Sequence, residues 1–137
     1  NLNNSIASFA TLTEKASRIA GEYIVSVLLD YTQGILHPLP QDASKASFCP
    51  LLTKKDGEID WSRSASEIER MIRAFTPWPG AFTTHHNVQL KIHRAHVGND
   101  GAFVFPCGDA TFLSLDVVQP SGKKIMSGDA FVRGFRR

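Results

Sequence analysis

The sequence predicts an α+β protein, mainly β in its second half, and three observations carry that prediction. Apolar residues recur at steps of three and four over about 11–33, and again over about 64–75. From Ala81 onward the apolar period changes to two. Turn residues then cut the second half into short runs, at His86-Asn87, Asn99-Asp100-Gly101 and Cys107-Gly108-Asp109. Short strands with tight turns, preceded by a helix, point to a small β-barrel or a partly open sheet.

The first helix is read from Leu12, Ala16, Ile19, Ala20, Tyr23, Val27, Leu28 and Tyr31, which form one broad apolar face. Thr11 or Thr13 can cap it, Gly21 weakens it by about 1 kcal/mol relative to Ala, and Gly34 supplies the stop. His37-Pro38-Leu39-Pro40-Gln41-Asp42 cannot continue a helix. Residues 34–47 therefore read as an extended linker between 1–33 and a domain over 48–137. Lys54-Lys55-Asp56-Gly57 is a turn signal. Ser64 and Glu67 have capping-box spacing, and Ile68, Met71, Ile72 and Phe75 follow on one helical face. Thr76-Pro77-Trp78-Pro79-Gly80 ends that helix as a rigid corner, with Trp78 expected to bury its ring and Trp61 expected in the core. In the strands, Val88, Leu90 and Ile92 alternate with Gln89, Lys91 and His93. Leu113, Leu115 and Val117 share one face. A last short helix is expected from Ser127, with Asp129 favourable in its first turn.

Composition narrows the class. The 137 residues are 42% hydrophobic and 20% charged, as in an ordinary folded chain of one domain, or one small domain plus part of another. The longest apolar candidate, Ile24 to Leu29, is broken by Ser26 and is far short of the roughly 18 residues of a membrane span. Asn1 to Ser5 has no basic residue, so a signal peptide is not expected. Cys49 and Cys107 form no CxxC pair, which points to buried free thiols in a reducing, cytosolic setting. The net charge of +2 divides unevenly: residues 1–70 hold 7 basic against 9 acidic side chains, and residues 71–137 hold 8 against 4.

Few residues invite a chemical reading. His85, His86, His93 and His96 do not converge on regular strands, so no metal site is expected. Asp56, Glu58 and Asp60 alternate, but a solvated face explains them better than acid–base chemistry. No GxSxG, P-loop, GxGxxG or HExxH motif is present. The basic residues are more informative. Lys54, Lys55, Lys91, Arg94, Lys123, Lys124, Arg133 and Arg136 are candidates for tracking a phosphate backbone. Lys91 and Arg94, three apart, fall on opposite faces of an undistorted strand.

Three segments carry a family resemblance. Lys54-Lys55-Asp56-Gly57-Glu58-Ile59-Asp60-Trp61 resembles K-E-D-G-x-I-D-W of methionyl-tRNA formyltransferases. Ser66 through Ala81, with E-I-E-R-M-I-R-A-F-T-P-W-P-G-A, and Gln119 through Ser127, with Q-P-S-G-K-K-I-M-S, are similar to two further stretches of that family in the same order. The first helix and Pro40-Gln41-Asp42 look like the end of the family's catalytic domain, so the resemblance spans nearly the whole chain.

The resemblance implies an OB-like C-terminal β-barrel preceded by a long helix left from a truncated Rossmann-like formyltransferase domain. It implies formyl transfer from 10-formyltetrahydrofolate to the methionine amino group of initiator Met-tRNA. The donor and the catalytic Asn, His and Asp belong to the missing N-terminal catalytic domain. This part then binds no cofactor and helps hold tRNA. The full enzyme is expected to be a monomer, off the membrane, in the cytoplasm or an organellar matrix of bacterial type. Departures are Leu51 in place of a lysine, Ala110 in place of the last Gly of a G-D-G turn, and Gly98–Gly101 where the family has a further strand. Because an open barrel exposes strand edges, a segment absent from the chain is favoured over a trimmed barrel. The other readings are a standalone OB-like module for nucleic acid or protein, a sugar-nucleotide formyltransferase, or a formyltetrahydrofolate hydrolase.

Overall fold

The computed structural model of the chain describes residues 8–135. They fall into two compact units, residues 10–51 and residues from Leu52 onward, the latter with Ser8 and Phe9. The first unit is built on helix α1, Phe9–Thr32. It stops as its sequence requires: Gly34 takes φ +72°, a left-handed conformation that costs a side-chain-bearing residue. The amides of Gln33 and Ile35 return to the carbonyls of Leu29 and Asp30 at 3.0 and 2.9 Å. No residue of α1 is buried, and Leu12, Tyr23, Leu28 and Tyr31 stay exposed. The connector is not wholly extended. Asp42 accepts the Ser44 amide at 3.0 Å and opens a 3-10 turn, Ala43–Lys45. Cys49 is exposed and Cys107 half-buried, so the expectation of two buried thiols fails.

The second unit is α+β. Among the described residues it contains helix α2 (Ala65–Phe75), five strands and helix α3 (Gly128–Phe135). The α2 capping box forms as its spacing predicts. Ser64 Oγ accepts the Glu67 amide at 3.4 Å, and the Glu67 carboxylate accepts the Ser64 amide at 3.2 Å. Ile68 and Ile72 are fully buried, each stabilising the fold by about 1.5–3 kcal/mol. The helix α3 starts one residue later than expected, because Ser127 stands before it and its Oγ accepts the Ala130 amide at 3.1 Å.

The strands are β1 (Ala81–His85), β2 (Val88–Val97), β3 (Val104–Pro106), β4 (Phe112–Pro120) and β5 (Met126–Ser127). Their antiparallel order is β1-β2-β4-β3, with β5 also on β4. His86 and Asn87, at φ 46° and 63°, make the two-residue turn joining β1 and β2. Leu90, Ile92, Leu113, Leu115 and Val118 line the core with Ile68, Ile72 and Phe131.

Two irregularities change the face assignments read from alternation. In the β2–β4 register, Ile92 pairs with Val118, Arg94 with Val117, and Ala95 with Leu115. His93 is thus skipped on β2 and Asp116 on β4. The skips offset one another, and the ladder resumes beyond them. The inner row of β2 moves from Leu90 and Ile92 to Ala95, and that of β4 moves from Leu113 and Leu115 to Val118. Val118, not Val117, therefore fills the core. Lys91 and Arg94 come to share the outer face, contrary to expectation.

The edges of the sheet are joined by a stretch that is not itself a strand. Glu58 forms a single bridge with Phe82 of β1, and Ser64 forms another with Gly108 just past β3. The Ile59 amide donates to Phe82 O at 2.9 Å, and the Gly108 amide donates to Arg63 O at 2.7 Å. A Cβ on Gly108 would stand 1.9 Å from Ser62 O, so only glycine permits this approach. Residues 58–64 thereby tie the two edges of an otherwise open, OB-like sheet at one bridge each. At Gly98–Gly101 the chain crosses directly to β3. Ser114 Oγ accepts the Gly101 amide at 3.1 Å and donates to Gly98 O at 2.9 Å, which ties the crossing to β4.

Candidate nucleic-acid interface

The candidate basic residues separate into two sets by their neighbours. Arg94 Nε lies 3.8 Å from Asp116 Oδ2, and Arg133 Nη2 lies 2.7 Å from Asp129 Oδ2. Both guanidinium charges are countered locally. Lys54, Lys55, Lys91, Lys123 and Lys124 have no carboxylate within ion-pair distance among the described residues. Of these, Lys55 still feels the charge of the neighbouring Asp56. Arg136 lies outside the described residues.

These lysines sit on three elements: a turn ahead of α2, strand β2 and the turn after β4. Lys54 and Lys55 lie on a 3-10 turn, Lys54–Gly57, fixed by Asp56, whose carboxylate accepts the Thr53 amide at 2.6 Å. Lys91 stands on β2, and its Nζ donates to Pro77 O at 3.3 Å. Lys54, Gln89 and Lys91 line one cleft with Pro79, Gly80 and Phe82, and no acidic side chain joins them. The Ser121 amide donates to Gln89 O at 2.9 Å, which sets the exposed Lys123-Lys124 turn beside the same strand end. Gln119 Nε2 in turn donates to Lys123 O at 3.1 Å. Charges held this way can follow a phosphate backbone without reading bases.

The carboxylates of 56–60 serve the backbone. Asp56 holds Thr53, and Asp60 accepts the Ser62 amide and hydroxyl at 3.0 and 2.6 Å. Hydrogen bonds from Thr53 and Ser62 hold both acids below the usual carboxylate range. A general base would need the opposite shift.

Nor do the histidines assemble a centre. His93 Nε2 lies 3.0 Å from Gln119 Oε1. His96 is held through both ring nitrogens, at 2.8 Å from Asp116 and 3.0 Å from Asp100, so neither nitrogen faces a substrate. His85 stacks edge-on against Phe103 and Phe105, where burial pulls its basicity down. Among the described residues no three His, Cys, Asp or Glu side chains converge to hold a metal ion.

One aromatic departs from expectation. Trp61 packs against the core as predicted, but Trp78 is 56% exposed, because the 76–80 corner turns its chain outward between α2 and β1. Sequence reasoning missed it as a surface residue. The available signal was its two flanking prolines, which leave the backbone little freedom to fold the ring inward.

Comparison with known proteins bears on the family and the fold. Residues 51–136 match the family described as "Formyl transferase, C-terminal domain". The methionyl-tRNA formyltransferase of Myxococcus xanthus is 37% identical over 93% of this chain and 44% of its own length. That of Roseiflexus castenholzii is 38% identical over 95% of this chain and 46% of its own. The chain thus spans less than half the length of these curated relatives. Among solved structures, a HypX variant from Aquifex aeolicus superposes with a TM-score of 0.62 over 93% of this chain and 26% of its own, at 15% identity. That likeness is one of fold. With a family match covering the capped helix, the sheet and the closing segment, the chain belongs to the formyl transferase C-terminal domain family.

Proposed function

We propose that this chain is the tRNA-holding part of a methionyl-tRNA formyltransferase. The whole protein would transfer a formyl group from 10-formyltetrahydrofolate to the methionine amino group of initiator Met-tRNA in translation initiation. The observation that carries this is the cleft that Lys54 and Lys91 line with no acidic side chain, with the Lys123-Lys124 turn tied to the same strand by the Ser121–Gln89 hydrogen bond. On this reading the donor and the catalytic groups belong to the part of the relatives that the chain does not span. The whole enzyme works as a monomer in the cytoplasm or an organellar matrix.

The test is binding of the 137-residue chain to initiator tRNA at 50 and 200 mM salt. About four phosphate contacts give a log–log slope near −3.6, so affinity should fall roughly a hundredfold between these salts. Affinity that does not change with salt would refute the electrostatic account.

A further inference from the structure

We infer that Trp78 is a stacking platform for an unpaired base of the bound RNA, with Lys54 and Lys91 holding the adjoining phosphates. The inference rests on the tRNA reading above and adds a contact that charge alone does not provide. Trp78 is flanked on both sides by residues that touch the lysine cleft: Lys91 donates to Pro77 O at 3.3 Å, and Pro79 lines the cleft beside Lys54. Trp78 leaves 56% of its surface to solvent. Its indole N–H has no hydrogen-bond partner among the described residues.

Trp61 makes the contrast. Its ring stacks on Phe105 at 4.4 Å, and its N–H donates to Thr83 at 2.9 Å, so one face and its donor are already engaged within the fold. A large exposed indole beside unopposed ammonium groups is the combination that binds single strands: bases stack on the aromatic face while lysines follow the backbone. The cleft, at about 230 Å³, is smaller than the roughly 300–1,000 Å³ of enclosing ligand pockets. A strand laid across it fits better than a small molecule enclosed in it. Bases within an RNA duplex are already stacked on one another, so the occupant is an unpaired one.

The experiment measures affinity and salt slope of the full chain for initiator tRNA and for a single-stranded RNA decamer. Trp78→Ala should weaken the decamer roughly tenfold with the salt slope unchanged, and Trp78→Phe should keep most of the affinity. In a Trp61→Phe background, Trp78 is the remaining tryptophan, and its fluorescence should be quenched as the decamer binds. Unchanged affinity in Trp78→Ala, or unquenched Trp78 at saturation, overturns the inference. Lys54→Gln and Lys91→Gln separate the two failures. If they lower tRNA affinity while Trp78→Ala does not, only the stacking contact falls. If neither they nor Trp78→Ala lower it, the tRNA reading falls with it. Unfolding midpoints of the Trp78 variants, expected to match the parent because the ring is half exposed, exclude loss of fold as the cause.

Discussion

Trp61 stacks on Phe105 with ring centroids 4.4 Å apart and an interplanar angle of 17°. The pair fastens the closing segment 58–64 to β3, and the indole N–H adds a bond to Thr83 on β1 at 2.9 Å. One side chain thus grips both edges of the sheet. Trp61→Ala should cost about 3–4 kcal/mol in urea unfolding, as large aromatic truncations do. Trp61→Phe keeps a stacking ring but strands the buried Thr83 hydroxyl, at about 1 kcal/mol. Equal losses for the two variants would show that the stack contributes nothing.

Gly108→Ala tests the same seam from the other side. The added methyl would meet Ser62 O, a backbone atom that cannot swing away. A loss of about 3 kcal/mol is expected, the upper end for overpacking. A variant as stable as the parent would mean that residues 58–64 do not close the sheet.

Ala110 stands at φ 52° in the turn between β3 and β4, behind Asp109 at φ 56°. Left-handed backbone costs an alanine about 1–2 kcal/mol, part of which glycine returns as unfolded-state entropy. Ala110→Gly should therefore stabilise the domain by about 0.5–1 kcal/mol. A thermal midpoint that falls instead would contradict the turn geometry.

His96 predicts a pH dependence. Its hydrogen bond to Asp100 raises its basicity first, burial opposes this, and Asp116 adds to the rise. Asp100 is lowered, chiefly by the same hydrogen bond. The histidine's contribution is complete below the ordinary imidazole value, about 6.5, and is lost as pH rises through the raised folded value. The aspartate's contribution is complete above about 3.9 and is lost as pH falls through its depressed value. The cluster, with Arg94 on Asp116, is at full strength from about pH 4 to 6.5. The stability gap between the parent and His96→Gln should be wider at pH 5.5 than at pH 8.5. Equal gaps would deny the pair its role.

Charge reversal at Lys123 and Lys124 should weaken initiator tRNA and leave the unfolding midpoint unchanged. Single Gln substitutions at Lys54, Lys91 and Lys123 should each reduce the salt slope by about 0.9. Arg94→Gln and Arg133→Gln should reduce it less, since Asp116 and Asp129 already counter those charges. The same slope change at all five positions would erase the distinction drawn from the ion pairs.

Local signals were legible in the sequence. The Ser64–Glu67 box, the apolar face of α2, the His86-Asn87 turn and the Gly34 stop depend on neighbours a few residues away. The two skips at His93 and Asp116 were not legible, because they offset one another and leave strand length unchanged. Both skipped residues are polar, which was the one trace they left. Closure by 58–64 rests on two single bridges made by distant partners, and no periodicity marks it. Among the candidate basic residues, Arg133 reads as available from its type alone, although Asp129 stands four residues before it on a helix. That spacing could have been read as an ion pair. The Arg94–Asp116 contact joins two strands and could not.

Because residues 58–64 seal the sheet without being one of its strands, shortening the protein from its amino end has an abrupt limit. A product begun at Ala65 would keep all five strands and both helices of the second unit, yet bare hydrogen-bonding groups along β1 and at the tip of β3. Such rims recruit other chains. The smallest soluble piece should therefore start upstream of Glu58, not at the first residue of regular structure.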